Sequence, residues 1–423
     1  MQKKSLALII LGLLVFASMA LMPSIGLAQD NNWGVYLFNG SSGELVRVNG
    51  DGTQAVSGLG LGQGEFAGSS DMAFTRDGSR LAFCTTTYPQ AVDANSTALP
   101  TAKFYLRDIA AQNYLLNLDL GNAIGCRTGH AAFNSDDTQV AVSRINYYPG
   151  DPAADTSKPS WQILVMDIAG SMTVKELNAA SPSVATYEGL TKGAILPYVV
   201  YFAGNQLIFA EVPYGIGGGA EWNAYLWDMD ADTVEMVPRW GNIGLDTLPS
   251  SGEIVWVTKD ANLPAGIPGG PVPDNNIVKY ADKTGTEHTI FTSPDWVVLD
   301  AKFINGGQQV AIQLLSSFDQ NNPNQLQTIK WVALDRAGNL TDLLSSVGGS
   351  PVVAAAPNGY VALDQQQTFD ANGTGQSQFK LTYNAAGQSK ELWASTVGFD
   401  YWELAWATPL TVTGDITPFP AVG

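Results

Sequence analysis

Seven times along the chain an apolar or aromatic run ends in Asp or Asn, a short turn follows, and a second apolar run begins. The first three runs are Val35-Tyr-Leu-Phe-Asn39, Phe104-Tyr-Leu-Arg-Asp108 and Ile163-Leu-Val-Met-Asp167. Then come Ala224-Tyr-Leu-Trp-Asp228, Ile277-Val-Lys-Tyr-Ala-Asp282, Trp331-Val-Ala-Leu-Asp335 and Lys380-Leu-Thr-Tyr-Asn384. Such runs have the length of strands rather than helices. The closing Asp or Asn accepts hydrogen bonds from the backbone just ahead and so starts a hairpin turn. Spacings of 69, 59, 61, 54, 53 and 49 residues are too irregular for a tight solenoid. They suit a meander with loops of variable length.

A strand–turn–strand pattern precedes six of the copies, most clearly in Asp71-Met-Ala-Phe-Thr-Arg-Asp-Gly-Ser-Arg-Leu-Ala-Phe83. Each unit then has strands a, b, c and d, and four-stranded units repeated around an axis make a β-propeller. The chain opens with Trp33 to Val48, read as c and d strands, and ends with Tyr401 to Val412, read as an a–b hairpin. Joining the two ends gives a seventh blade and removes exposed edges. The expectation is an all-β, seven-bladed propeller closed by its terminal strands, with six or eight blades if a weak unit is misread. Phe74-Thr-Arg-Asp-Gly78 followed by Arg80-Leu-Ala-Phe83 resembles the Phe-Ser-Pro-Asp-Gly, Leu-Ala-Phe signature of TolB-type, WD40-like propeller repeats. That resemblance implies a periplasmic or secreted propeller and fixes no activity.

Residues 1–28 read as a signal peptide. Lys3 and Lys4 precede the apolar run Leu6–Met22, and Gly26-Leu-Ala28 sets small residues before a cleavage point. An uncleaved anchor is the other reading of a run this long. Residues 29–423 form a single propeller domain carrying 19 basic and 39 acidic residues. That charge excludes a phosphate-backbone ligand, which needs a basic footprint. Export permits a disulfide between the two cysteines, Cys84 and Cys126, which fall on neighbouring blades; two buried thiols are the alternative.

No recognisable catalytic motif occurs. Gly-x-Ser-x-Gly and Walker-type patterns are absent, and two histidines with two cysteines cannot build a repeated zinc motif, so neither cofactor nor metal is expected. Asp228-Met-Asp-Ala-Asp232 looks like half a calcium loop but lacks the following Gly and the Glu at the twelfth position. In a meander the a–b and c–d turns share one face and the b–c and d–a connections share the other. The b–c loops are long and carry Tyr88, Tyr147, Tyr148, Tyr214 and Trp222, with Trp161 at a loop edge. His130 opens an a strand beside the axial channel. Loops on a rigid scaffold commonly carry function, although long polar loops also cost little as decoration. The expectation is a secreted, monomeric, non-catalytic scaffold binding a protein, peptide or glycan on the b–c face. One alternative is a carbohydrate hydrolase or lyase using carboxylates or His130 at the channel, for which convergent acids there would speak. The other is a cell-envelope or surface-layer component.

Overall fold

The computed structural model describes residues 33–422 apart from 63–64, 69–71, 88–99, 130, 148, 150–154, 170–171, 194, 214–222, 238–244, 249–250, 259–275, 317–326, 348, 370–374, 398–400, 413 and 415. Seven antiparallel sheets follow one another along the chain, each ordered a-b-c-d from the axis outward. Blade 2 gains a short extra strand, Glu65–Phe66, on its b strand. The seven-bladed propeller read from the sequence is therefore the fold.

Burial tracks position within a blade. The c strand of blade 3, Trp161–Asp167, and the b strand of blade 1, Gly34–Asn39, are buried on both faces, which is why they read as continuous apolar runs. The d strand of blade 2, Asn113–Asn122, faces outward and is mostly exposed. The core lies between blades. Tyr36 of blade 1 stacks on Phe74 of blade 2 at 4.8 Å, with Trp406 5.5 Å from Tyr36. Trp406 packs so close to the a–b turn of blade 2 that a Cβ on Gly78 (φ +67°) would sit 2.7 Å from its ring, so only glycine fits there. The Asx turns form as expected: Asp108, Asp167, Asp228, Asp282 and Asp335 each accept a backbone N–H two or three residues ahead.

Three readings of the chain need correction. The closing blade takes one strand from the C-terminal end, Trp402–Ala407, as strand a; Gly34–Asn39, Glu44–Asn49 and Gln54–Gly58 supply b, c and d. Asn39 starts a tight b–c turn there, and the Asx pattern does not distinguish one hairpin turn from another. The polar, exposed Gln54–Gly58 gave no apolar signal as a d strand. In blade 7 the expected b–c loop is mostly strand, since Gly359–Phe369 and Gly375–Ala385 pair along their length.

Beyond Ala407 the chain forms a strap instead of a second strand. Thr408 donates its N–H to Gly34 O in blade 1 at 3.0 Å, and Leu410, Val412 and Ile416 pack against the core between blades 5 and 6. Phe419 is buried there, 4.3 Å from the Arg336 guanidinium and 5.2 Å from the Tyr280 ring. His288 Nε2–H donates to Phe419 O at 2.6 Å, and Val422 N–H donates to Thr289 O at 2.9 Å. Arg336 forks onto Glu253 with two 3.0 Å bonds and donates to the carbonyls of Gly307 and Thr417. Tyr280 OH and Ser251 Oγ also donate to Glu253, so the buried pair leaves neither charge short of partners. Cys84 and Cys126 are joined in a disulfide that ties blade 2 to blade 3, with Cα atoms 5.7 Å apart.

Candidate active site

The innermost strand of a blade has no partner on its axial side, so its N–H groups there need water or a side chain. Asp246 opens strand a of blade 5, Asp246–Leu248, and answers one such need across the blade boundary. Its Oδ2 accepts the Phe303 N–H of blade 6 at 2.8 Å, while Oδ1 accepts the Thr247 N–H at 2.8 Å. Phe303 belongs to strand a of blade 6, Trp296–Ile304, which carries a register shift between Val298 and Asp300. Irregularities of this kind re-aim side chains. Two residues apart beyond it, Asp300 and Lys302 share a face of the strand, and Lys302 Nζ lies 2.9 Å from Asp300 Oδ2.

Burial is the largest influence on Asp246 and pushes its carboxyl up to about 6; the Phe303 and Thr247 N–H groups and Lys302 work against the rise, and Asp300 adds to it. Lys302 is pulled down by burial, but Asp300 and then Asp246 outweigh that and leave its ammonium above the usual lysine value. The three are not sealed off: the Lys302 side chain keeps 36% of its surface accessible and that of Asp300 keeps 19%. All three stand on innermost strands, at the inner edge of the ring, where they are strongly desolvated yet keep some open surface. A carboxyl half-protonated near pH 6, beside a second carboxylate and an ammonium, is equipped to donate and accept protons. Among the described residues no cluster of three or more His, Cys, Asp or Glu could hold a metal ion.

The residues expected to bind ligand do not join this group. Trp161 is fully buried as the first residue of the blade 3 c strand, where its Nε1–H donates to Leu190 O at 2.6 Å beside a one-turn helix, Glu188–Lys192. Its ring lies 6.1 Å from Phe209 in the core between blades 3 and 4, so it is a packing residue. Tyr147 is half-buried just past the blade 3 b strand. Tyr88, Tyr148, Tyr214, Trp222 and His130 lie outside the described residues. The sequence reading passed over Asp246, Asp300 and Lys302. The signal was present, as three charged positions inside innermost strands whose other residues are largely apolar.

No family model matches the chain, and no curated protein matches it in sequence. Solved structures of similar fold include Pyrococcus horikoshii acylaminoacyl peptidase, at 14% identity and a TM-score of 0.48, covering 86% of this chain and 53% of that one. The chain thus spans about half the length of that peptidase. TolB from Acinetobacter baumannii is similar at 13% identity and a TM-score of 0.39, covering 74% of this chain and 63% of that one. Oligogalacturonate lyase from Vibrio parahaemolyticus is similar at 10% and 0.39, with 85% and 84% covered. These likenesses concern the propeller fold, and TolB is among them. Against the expectation of a non-catalytic scaffold, the similar structures include those of a peptidase and a lyase, with which this chain shares the propeller fold.

Proposed function

We propose that the chain is a secreted carbohydrate-cleaving enzyme working at the inner edge of blades 5 and 6. The observation that carries this reading is Asp246, its carboxyl pushed up to about 6 in the field of the Asp300–Lys302 pair on the innermost strand of blade 6. Glycosidic cleavage needs one carboxyl that donates a proton to the leaving oxygen and one carboxylate that activates water or stabilises the cationic transition state. Asp246 fills the first role and Asp300 the second, with Lys302 orienting Asp300. A lyase is the second reading, favoured by Lys302: its ammonium would neutralise a uronate carboxylate while a neighbouring Asp takes the adjacent proton. The leader-like first 28 residues and the Cys84–Cys126 disulfide support release into an oxidising compartment.

The test incubates the purified chain with neutral and uronic oligosaccharides and reads products by mass spectrometry. Cleavage should fall as pH rises through about 6, because the proton donor is lost. Asp246→Asn and Asp300→Asn should each lose on the order of a hundredfold or more in kcat while remaining folded. A panel left intact, or Asp246→Asn cleaving at the parent rate, overturns the proposal.

A further inference from the structure

The strap bears on how a substrate can reach Asp246. Thr408 still bonds to Gly34 in blade 1, yet Leu410 already packs against the core between blades 5 and 6, across the ring. Two residues of extended chain span only about 7 Å. The chain therefore crosses the axis on the face of the a–b turns. Its far side then lies beneath the site. Gly307 (φ +81°) is so close to Leu248 and Ile416 that a Cβ there would be 2.9 Å from Leu248 and 3.6 Å from Ile416. Leu248 is two residues along the strand from Asp246, and Phe303, the N–H donor to Asp246, has its ring 6.5 Å from Phe419. The Arg336 bonds to Thr417 O and Glu253, together with the buried Phe419, pin the strap's far end.

We propose that this strap makes the channel blind on the turn face, so that the enzyme acts on chain ends. A saccharide enters from the face of the b–c loops, its terminal residues reach the Asp246 site, and the strap stops them from threading through. A channel open at both ends would let a polymer pass and be cut internally; a blind one admits a terminus and releases short fragments of fixed length. The inference deepens the glycan-cleavage reading and rests on it for the identity of the substrate, whereas the closure itself rests on the strap's contacts alone.

Two readouts separate the parts. The first uses wild-type protein on a linear oligosaccharide tagged at one end: products of fixed short length from one end are expected, and internal cuts overturn the end-acting proposal while leaving glycan cleavage in place. The second needs no activity. Deuterium labelling of the a–b turn of blade 6, residues 304–308, should be severalfold faster in Phe419→Ala, and in a chain truncated after Thr408, than in the parent, as read by peptide mass mapping. Unchanged labelling in either folded variant overturns the closure. If no oligosaccharide is cut, the functional reading falls and the labelling still decides the strap.

Discussion

Glu253–Arg336 and Asp300–Lys302 are both close acid–base pairs, at 3.0 Å and 2.9 Å; the first joins blades 5 and 6, and the second stands on the innermost strand of blade 6, with Lys302 6.0 Å from the Trp331 ring on the side that faces blade 7. Their surroundings differ. The Arg336 and Glu253 side chains keep only 6% and 3% of their surface, and all five guanidinium donors find acceptors in Glu253, Gly307 and Thr417. Lys302 and Asp300 keep part of their surface accessible, hold one another through a single short contact, and share their field with Asp246. A pair whose valences are all filled inside protein can only hold structure in place. A pair with capacity left over, beside a carboxyl poised between its two forms, can exchange protons with something that arrives.

The largest expected difference between the pairs is in stability. Arg336→Met strands the Glu253 carboxylate in the core and should cost about 3–5 kcal/mol in urea unfolding. Lys302→Met should cost about 1 kcal/mol or less, because water reaches Asp300. Equal costs would erase the distinction. Opening the Cys84–Cys126 link with paired Ser substitutions offers a control remote from both pairs. It should cost about 2–4 kcal/mol and leave the gap between the Arg336 and Lys302 variants unchanged.

A smaller effect carries a pH signature. Asp246 has a folded value of about 6, above its ordinary 3.8, so its ionisation is harder in the folded state than in the unfolded one. Its contribution therefore weakens the fold progressively as pH rises from about 4 through 6, and the weakening is complete above that. Asp246→Asn should accordingly unfold about 1–2 kcal/mol later than the parent at pH 8, after allowing for one weakened hydrogen bond, and the gain should vanish near pH 4. A pH-independent difference would mean that the side chain acts by packing alone. The smallest effect belongs to an acid that does neither job. Asp335 accepts the Ala337 and Asn339 N–H groups in an exposed turn, and Asp335→Ala should cost under about 1 kcal/mol.

The ring was legible because its signals are local. An Asx turn needs only its own few residues, and a strand buried on both faces, such as Trp161–Asp167, must be apolar whatever stands next to it. The blade boundary at the N-terminal end was misread because Gln54–Gly58 is held by pairing with Glu44–Asn49 and not by a buried face. The site was least legible. Asp246 owes its raised carboxyl to burial in the assembled ring, where it accepts an N–H 57 residues away on another blade, and Trp161, an aromatic at the edge of a loop in sequence, turns inward onto Leu190. Neither relation leaves a mark at a fixed spacing.

The single strand that completes blade 1 also sets the order in which the molecule can be finished. Thr408 and Gly34 are 374 residues apart, so the first blade's b, c and d strands must wait for nearly the whole chain before their inner edge is paired. Every intermediate that stops short of Trp402 is an open arc of blades ending on a bare strand, Gly34–Asn39, which is apolar and a ready template for a stranger's strand. Closing so long a loop is slow and entropically costly. Assembly of this ring therefore depends on keeping that one edge unoccupied until the last strand arrives.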